Sequence, residues 1–584
     1  MAIPWNIRGS ASQLFYQDKS SSQCQALLAI SGVPHPDRSV LGAFVNDAFD
    51  PQAAARYFLQ TTSTEDVSKE PKKTVPQFLA AWKVLIEKFR PTPTISISSE
   101  TKMLIYDRDG GYCCLTRTPF KSYQDHGLEY VHIVPPCVFT DPDLSEGTFL
   151  LELLRNFLPR ELLGAVCDPR RQEIERLDNL WLLSTLAFDA VKKGEVFLRT
   201  QSWGDHSDTT RKQPYTVGTN FFKPQNPACF PLLKRETLVE NRTPQLTLIP
   251  NEQLLGIHAR FSKPLAWIET KKYMDSSLHG ARNKPPGRYH RLIQHILERN
   301  CFLPSLVSPF FPLFQKCWKT LPSSIRASVY DGLRWIGLRL YGGPLSDTVF
   351  KLPFGLILRR GSPTLVPKFH AETHTLQMVE RSTSIPVPRA IDVLETPRFG
   401  YMLMTCVPGH PIGQMLDSMS DEQVKQAVVD LKRYVSELRQ IPSNNTEFRI
   451  CNSQGSGILD WRLADSQREE LRFKSEADFN KYLTDPFWED IRRRAAKSHN
   501  IQHQIVFTHA DLNPGNILAD NGRITGIVDW ENAGWFPEYW EYTKAHFSVR
   551  GFQRWLADVI DEVFEGYRDE LLVENMLSDL SGPF

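Results

Sequence analysis

The 584-residue chain has no excess charge of either sign, and its cysteines follow no pattern. It contains 68 Lys and Arg against 67 Asp and Glu, for a formal net charge of +1. A balanced charge gives no reason to expect nucleic acid as a partner. The ten cysteines are scattered without a repeated CxxC pair, so neither a zinc ribbon nor a disulfide framework is indicated. We therefore expect a protein of the reducing cytoplasm, and a nuclear location stays open.

Long apolar runs are missing as well. The most apolar stretch, CFLPSLVSPFFPLF (residues 301–314), is too short to span a bilayer and contains three prolines. The first residues, MAIPWNIRGSASQLF, lack the basic segment and the apolar run of a secretory signal. We therefore expect no membrane partner.

A chain of this length predicts about two to four domains. Residues 1–95 contain helix-like segments, among them PQAAARYFLQ and VPQFLAAWKVLIEKF, and residues 96–204 mix short strands with helix. Residues 205–250 are rich in Pro, Asn, Thr and Gln, which predicts an irregular connector, and a helical pattern follows from Tyr289 to complete a connector over 205–317. Residues 318–584 read as one α+β unit.

The most informative segment is FTHADLNPGNILADNGRITGIVDWE (residues 507–531). Asn521-Gly522 predicts a two-residue turn between two short strands, because both turn positions favour positive φ. Such a hairpin brings Asp511 and Asn516, before its first strand, near Asp529, after its second. Two carboxylates and an amide oxygen in one small volume suit Mg²⁺, which also takes phosphate oxygens and water as ligands.

Several motifs in this half of the chain resemble the aminoglycoside phosphotransferase/choline kinase family of protein-kinase-like enzymes, and within it a large fungal branch. They are LPFGLILRRG (352–361), TSIPVPRAIDV (383–393), YMLMTCVPGHPI (401–412), HADLNPGNIL (509–518) and GIVDWENAGWFPEYWEY (526–542). The resemblance implies a bilobal kinase-like domain over residues 318–584, with a small mixed β/α lobe and a mainly helical lobe. It also implies an ATP-dependent phosphotransferase that acts on a hydroxyl of a small molecule.

The resemblance also implies roles for the residues of the hairpin segment. Asp511 corresponds to the catalytic residue that receives or orients the acceptor hydroxyl, and His509 supports the catalytic loop. Asn516 and Asp529 correspond to the ligands of Mg²⁺ ions that bridge the phosphates of ATP. These roles fit phosphoryl transfer, which asks a protein mainly for positioning and charge neutralisation.

The nucleotide side departs from the family at one position. Arg359 stands where the family has a phosphate-binding lysine, and Glu372 matches the helix glutamate that pairs with it. Backbone groups around Thr405 and Val407 correspond to the adenine-binding hinge. An arginine is a wider, planar cation than lysine, so three alternatives stay open. Arg359 binds phosphate or Glu372 in an active enzyme, or it displaces the phosphates and leaves a weakened pseudokinase or a nucleotide-binding scaffold, or it is a surface charge on an edge strand.

The segment DWENAGWFPEYWEY (529–542) is aromatic and acidic, and it allows two interpretations. Acidic groups near the reacting hydroxyl favour a cationic acceptor such as an amino sugar or a choline-like amine. Alternatively, Trp535, Tyr539 and Trp540 pack in the core. The sequence does not identify the acceptor.

A second resemblance lies nearer the N-terminus. YDRDGGYCCLTRTPF (106–120), LEYVHIVPP (128–136) and RLDNLWLLSTLAFDAVKKGEVFL (176–198) resemble the HNH nuclease (ββα-metal) fold. By that resemblance His132 is the general base and Asn179 orients it. Phe188 stands where the family has a ligand histidine, and Val131 stands where many members have an acidic ligand. We therefore expect an HNH-like domain without nuclease activity over residues 96–204, and the alternative is a nucleic-acid enzyme with a regulatory kinase-like domain.

Overall fold

The computed structural model describes most of the chain. The described residues are 20–62, 73–94, 96–168, 173–200, 212–220, 233, 236–240, 242, 249–283, 311–443, 445–485, 487, 489–549 and 554–581. They divide into two compact units, Met1–Arg282 and Asn283–Phe584. Among the described residues, no helix has both the length and the apolar composition required to cross a bilayer.

The first unit is mainly helical and contains two small sheets. Its helices are α1 (Ser22–Ile30), α2 (Asp37–Asn46), α3 (Pro51–Thr62), α4 (Val75–Lys88), α5 (Ser99–Arg108), α6 (Phe149–Phe157), α7 (Arg160–Val166), α8 (Thr185–Lys192) and α9 (Glu252–Asn283). Its strands are β1 (Thr92–Pro93), β2 (Leu128–His132), β3 (Leu180–Ser184), β4 (Val196–Thr200), β5 (Lys212–Thr219) and β6 (Glu236–Glu240). The two helix-like segments read from residues 1–95 correspond to α3 and α4, and that prediction is confirmed.

The first sheet has the order β1-β2-β3, and α8 follows β3 directly. β2 and β3 are antiparallel, with His132 opposite Leu180 and Leu128 opposite Ser184. The Ser184 hydroxyl accepts the N–H of Ala187 and so begins α8 with a side-chain cap. α6 and α7 lie between β2 and β3 along the chain, and α8 follows β3. The assignment of this segment to the HNH fold stays a prediction.

The second sheet corrects the interpretation of residues 205–250 as irregular. β5 lies between β4 and β6 and pairs antiparallel with both. The composition of this segment did not indicate the strands because polar residues make up part of each of them. The helix predicted from Tyr289 lies outside the described residues.

The second unit combines three small sheets with helices. Its helices are α10 (Phe311–Lys319), α11 (Ser323–Tyr341), α12 (Val366–Ser382), α13 (Asp421–Arg439), α14 (Glu476–Thr484), α15 (Glu489–His499), α16 (Trp540–Ser548) and α17 (Arg568–Ser581), and a π-helix at Trp555–Ile560 continues into the short helix Asp561–Val563. Its strands are β7 (Val349–Leu352), β8 (Leu356–Gly361), β9 (Ala390–Glu395), β10 (Gly400–Thr405), β11 (His410–Pro411), β12 (Cys451–Asn452), β13 (Ile505–Thr508), β14 (Ile517–Asp520), β15 (Arg523–Ile527) and β16 (Gly534–Pro537).

The largest sheet of this unit has the order β7-β8-β10-β9. β7 and β8 are joined at Pro353–Gly355, and Phe354 takes a positive φ of 66° in that turn. β8 pairs along its whole length with β10, which places Arg359 opposite Met402. α12 packs beside this sheet against β9 and β10. The sheet and α12 thereby carry Arg359 and Glu372.

Two three-stranded sheets position the rest of the site. One has the order β11-β14-β15 and the other β12-β16-β13. β14 and β15 form the predicted hairpin, and Asn521 (φ 49°) and Gly522 (φ 81°) form its turn. β13 ends at Thr508, immediately before the loop that contains Asp511. The hairpin prediction is therefore confirmed.

Candidate active site

The hairpin brings the ends of its two strands together. The N–H of Val528 donates to the carbonyl oxygen of Asn516 at 2.9 Å, and Ile517 lies opposite Ile527. Asn516 and Asp529 are therefore neighbours across the open end of the hairpin. Asp529 has a left-handed backbone, with φ 65° and ψ 64°, which ends the strand and begins a short 3-10 turn. The carboxylate of Asp529 is also close enough to Asp511 to raise its pKa.

Asp511 is half-buried and is held by two amides. Asn513 Nδ2 and Asn516 Nδ2 both donate to its Oδ2 atom, at 3.0 and 2.9 Å. Its other oxygen, Oδ1, is 3.4 Å from the hydroxyl of Ser548. Burial raises the pKa of Asp511 to about 6, while Lys544 opposes the shift. Oδ1 is thus the less engaged oxygen of a carboxylate whose pKa suits proton transfer near neutral pH.

Asn516 and Asp529 have the free oxygens that a magnesium site needs. Asn516 Nδ2 donates to the backbone and side-chain oxygens of Asp511, so its Oδ1 points away, and no group among the described residues donates to that atom. The side chain of Asp529 is 41% exposed, and its Oδ1 accepts one contact, from Arg359 at 3.2 Å. Mg²⁺ commonly takes one or two protein oxygens together with phosphate and water. The residues present therefore fit this ion.

His509 lies inside the protein beneath the loop. Its Nδ1 accepts the N–H of Asp511 at 3.2 Å, so Nε2 carries the proton and donates to the carbonyl of Val528 at 3.1 Å. The ring packs edge-on against Trp530, with centroids 4.5 Å apart. Burial lowers the pKa of His509 to about 4. The neutral ring thus connects the loop of Asp511 to the strand end of Asp529, which is a supporting role.

Glu541, on α16, was not predicted as part of the site. Its buried carboxylate accepts the N–H groups of His509, Ala510 and Leu512, at 2.8, 3.1 and 3.4 Å. These three N–H groups converge on one carboxylate from a loop in which Ala510 takes a positive φ of 61°. Burial raises the pKa of Glu541 to about 7, although these hydrogen bonds oppose the shift. Glu541 therefore fixes the backbone around Asp511, and its position in the acidic segment 529–542 was the available signal.

Arg359 joins three carboxylates. Its Nη1 atom is 2.5 Å from Glu372 and 3.2 Å from Asp529, and its Nη2 atom is 2.6 Å from Glu531. Burial raises the pKa of Glu372 to about 7, although Arg359 opposes the shift. The side chain of Arg359 is 15% exposed, so the alternative of a surface charge on an edge strand is wrong. When all three carboxylates are ionised, they leave two negative charges in excess over the one guanidinium, which a bound divalent cation would balance.

The hinge residues lie at the end of β10 and just after it, where Thr405 is opposite Leu356 of β8. The N–H of Thr405 donates to the carbonyl of Arg389 at 3.0 Å, and its hydroxyl accepts the N–H of Arg389 at 2.8 Å. Adenine recognition by Thr405 would therefore use its carbonyl oxygen. Val407 packs over Gly526 of β15, where a Cβ would come within 2.2 Å of Val407 Cγ1. The structure thus brings Val407 beside the strand that leads to Asp529.

The aromatic side chains of the segment 529–542 are buried in the interior of the second unit. Trp535, Tyr539 and Trp540 are 5%, 1% and 0% exposed. Glu531 binds Arg359 and Glu541 binds the loop backbone. The packed interpretation of the aromatic residues is therefore correct, whereas the side chain of Asp529 in the same segment is 41% exposed.

His132 and Asn179 lie in the first unit. His132 Nε2 is 2.9 Å from the carbonyl of Ile174, and burial lowers the pKa of His132. The amide of Asn179 pairs with the backbone of Val134, donating at 2.8 Å and accepting at 3.0 Å. Across the part of the chain that the structure describes, no group of three His, Cys, Asp or Glu side chains is arranged to hold a metal ion. Both residues therefore have structural partners, and their nuclease roles stay predictions.

Comparison with known proteins identifies the domain that contains this cluster. Residues 339–574 match the model of the phosphotransferase enzyme family. An aminoglycoside 3'-phosphotransferase of Escherichia coli is 24% identical over 235 residues, which cover 38% of this chain and 78% of that protein. A hygromycin-B 4-O-kinase of Escherichia coli is 22% identical over 183 residues, which cover 30% of this chain and 50% of that protein. The C-terminal half thus contains a domain of the phosphotransferase enzyme family.

Solved structures give similar matches. An aminoglycoside phosphotransferase of Streptomyces rimosus in complex with ADP and streptomycin is 18% identical, covers 43% of this chain and 97% of its own, and has a TM-score of 0.29. A thermostable mutant of an aminoglycoside phosphotransferase in ternary complex with ADP and hygromycin B is 14% identical, covers 43% of this chain and 99% of its own, and has a TM-score of 0.27.

Proposed function

We propose that the domain over residues 339–574 transfers the γ-phosphoryl group of ATP to a hydroxyl group of a small molecule. One observation carries this proposal: the hairpin gathers Asp511, Asn516 and Asp529 at one end, with Arg359 and Glu372 beside them. Phosphoryl transfer needs a group that positions the acceptor and positive charge that steadies the phosphates. This cluster has residues for both.

Asp511 is the residue that acts on the acceptor. Both amides that hold it donate to Oδ2, so Oδ1 accepts the proton of the acceptor hydroxyl. The acceptor oxygen forms a bond to the γ-phosphorus as the bond between that phosphorus and the bridging oxygen breaks, and ADP leaves. A pKa of about 6 keeps Asp511 ionised at neutral pH and still able to receive this proton.

Asn516 and Asp529 would hold Mg²⁺ through Oδ1 of the amide and a carboxylate oxygen. When bound there, the ion supplies positive charge to the β- and γ-phosphates. Arg359 would add a second cation while Glu372 and Glu531 fix the direction of its planar fork. Backbone groups of Thr405 and Val407 would contact the adenine.

The relatives' names support a small molecule as the acceptor. Two of them are named for transfer to aminoglycosides or to hygromycin B. Sequence identities of 24% and 22% do not specify a particular acceptor. We therefore propose only that the acceptor is a small molecule with a hydroxyl group.

A second candidate function is that of a nucleotide-binding domain without transfer activity. The observation in its favour is the engagement of Arg359 by three carboxylates, one of them the candidate metal ligand Asp529. A guanidinium held in this way competes with phosphate and with the metal. Both candidates allow nucleotide binding, so binding alone does not separate them. A measurement of ATP turnover does.

The 584-residue protein is expected to convert ATP to ADP in the presence of Mg²⁺ and an acceptor. The panel is hygromycin B, streptomycin, choline and ethanolamine, with water alone as the reference acceptor. ADP formation and mass spectrometry of the acceptor measure the reaction, and EDTA in place of Mg²⁺ is the control. Nucleotide binding without any Mg²⁺-dependent turnover would favour the second candidate, and no binding at all would refute both.

A further inference from the structure

A cavity of about 790 Å³ lies beside α12, and its volume is within the range of small-molecule sites. Part of its lining is one face of α12, where His374, Gln377, Met378 and Arg381 follow one another at i, i+3, i+4 and i+7. The rest comes from the chain between α13 and β12, from the turn that follows β12, and from Trp535 of β16. The cavity therefore lies between a helix and a loop of the second unit.

This cavity is separate from the candidate active site. Glu372, which contacts Arg359, stands two positions before His374, and that spacing corresponds to about 200° around a helix. Glu372 is buried and His374 is exposed, as this geometry requires. Among the described residues that line the cavity, none belongs to the open end of the hairpin. A molecule bound in the cavity would therefore leave the candidate active site free.

Ser453 attaches the loop to the helix. Its hydroxyl is 2.8 Å from the hydroxyl of Thr375 and 3.2 Å from Nδ1 of His374, both on α12. The same hydroxyl is 3.5 Å from the carbonyl oxygen of Ala371, and Ser453 is 7% exposed. These contacts hold the two sides of the cavity together, so its shape belongs to the fold.

Trp535 contributes a buried donor to the lining. The residue is 5% exposed, and its indole N–H has no hydrogen-bond acceptor among the described residues. Buried donors are nearly always paired, because an unpaired one has lost its contact with water without a replacement. An acceptor atom of a bound molecule is the partner that the described part of the fold does not supply.

The described residues of the lining include one fixed cation and one fixed anion. Arg381 and Glu447 are both exposed, and neither forms an ion pair within the described part of the chain. His374 is the remaining titratable group among these residues, and its Nδ1 contacts Ser453. A ligand with a single charge would be attracted by Arg381 or Glu447 and repelled by the other, whereas a ligand with both charges is attracted by both.

We propose that this cavity binds a small zwitterionic molecule of the amino acid or short peptide class. Arg381 binds its carboxylate, Glu447 binds its ammonium group, and the indole N–H of Trp535 donates to one of its oxygen atoms. The inference is independent of the proposed function, because none of these three residues belongs to the candidate active site.

Calorimetric titration of the standard amino acids, diglycine and triglycine into the 584-residue protein tests the ligand class. The peptides are included because their two charges lie farther apart. At least one of these molecules is expected to bind. Its N-acetyl derivative, which lacks the ammonium charge, and its amide, which lacks the carboxylate, are each expected to bind about tenfold more weakly, as when a hydrogen bond to a charged group is lost.

Two variants assign each charge of the ligand to one residue. Arg381→Met is expected to bind the zwitterion and its amide equally well, and Glu447→Gln is expected to bind the zwitterion and its N-acetyl derivative equally well. Both side chains are exposed, so neither replacement disturbs the core. Arg493→Met, at an exposed arginine of α15, is the matched control and keeps both preferences.

Three results would overturn this inference. The first is that the wild type binds no member of the panel, and the second is that both variants keep the preferences of the wild type. The third concerns Asp529→Asn, which is expected to bind the zwitterion with wild-type affinity. Loss of binding in that variant would place the molecule at the candidate active site instead of the cavity.

Discussion

Replacing Asp511 by asparagine is expected to lower kcat by about 10²- to 10⁴-fold, the usual contribution of a positioned acid–base group, and to leave KM for ATP unchanged. Asparagine preserves the size of the side chain and can still take part in hydrogen bonds with Asn513 and Asn516. It cannot accept the proton of the acceptor hydroxyl, so the loss falls on the transfer step. Steady-state rates of ADP formation with the best panel acceptor measure this effect.

Asp520→Asn is the matched control for this variant. Asp520 is an exposed aspartate at the end of β14 in the same hairpin. Its replacement is expected to leave kcat and KM at their wild-type values. An Asp511→Asn protein that turns over as fast as Asp520→Asn would show that Asp511 takes no part in the reaction.

Replacing Arg359 by methionine is expected to lower the free energy of unfolding of the C-terminal unit by about 3–5 kcal/mol, as when a buried ion pair loses one partner. Glu372 and Glu531 would remain with no cation between them. Arg359→Lys is expected to be destabilised as well, because a single ammonium cannot replace a fork that contacts Glu372 with one nitrogen and Glu531 with the other. Urea unfolding followed by limited proteolysis, with peptides of residues 339–574 identified by mass spectrometry, measures both variants.

Two further variants make this prediction specific. Glu531→Gln in the Arg359→Met background removes one of the unpaired carboxylates and is expected to restore part of the stability. Arg493→Met, at an arginine whose side chain is 74% exposed, is expected to unfold at the wild-type urea concentration. Wild-type stability in Arg359→Met would mean that the three carboxylates do not depend on this guanidinium.

Local sequence signals predicted the parts of the site that are close along the chain. Asn521-Gly522 specifies the hairpin turn because few other dipeptides accept positive φ at both positions, and the hairpin then fixes Asn516 next to Asp529. The pairing of Arg359 with Glu372 came from resemblance, and the structure places their side chains 2.5 Å apart. These contacts follow from one strand pair or from a family pattern.

Contacts between distant segments could not be read from the sequence. Glu541 binds backbone N–H groups about thirty positions earlier, and backbone groups leave no mark in the sequence of their partners. Lys544 meets Asp460 across 84 positions. Glu531 contacts Arg359, which lies 172 positions earlier in the chain. The motif around Asp529 does not indicate which of its carboxylates faces a ligand and which one contacts a cation.

The central claim is that the open end of the hairpin binds a metal ion and a nucleotide. Calorimetric titration of ADP into the 584-residue protein, with and without Mg²⁺, tests this claim most directly. The account predicts that wild-type protein and Asp520→Asn bind ADP more tightly with Mg²⁺ than without it, and that Asp529→Asn loses this difference. The same Mg²⁺ dependence in Asp529→Asn, or no ADP binding by the wild type, would contradict the claim that the open end of the hairpin is a metal–nucleotide site.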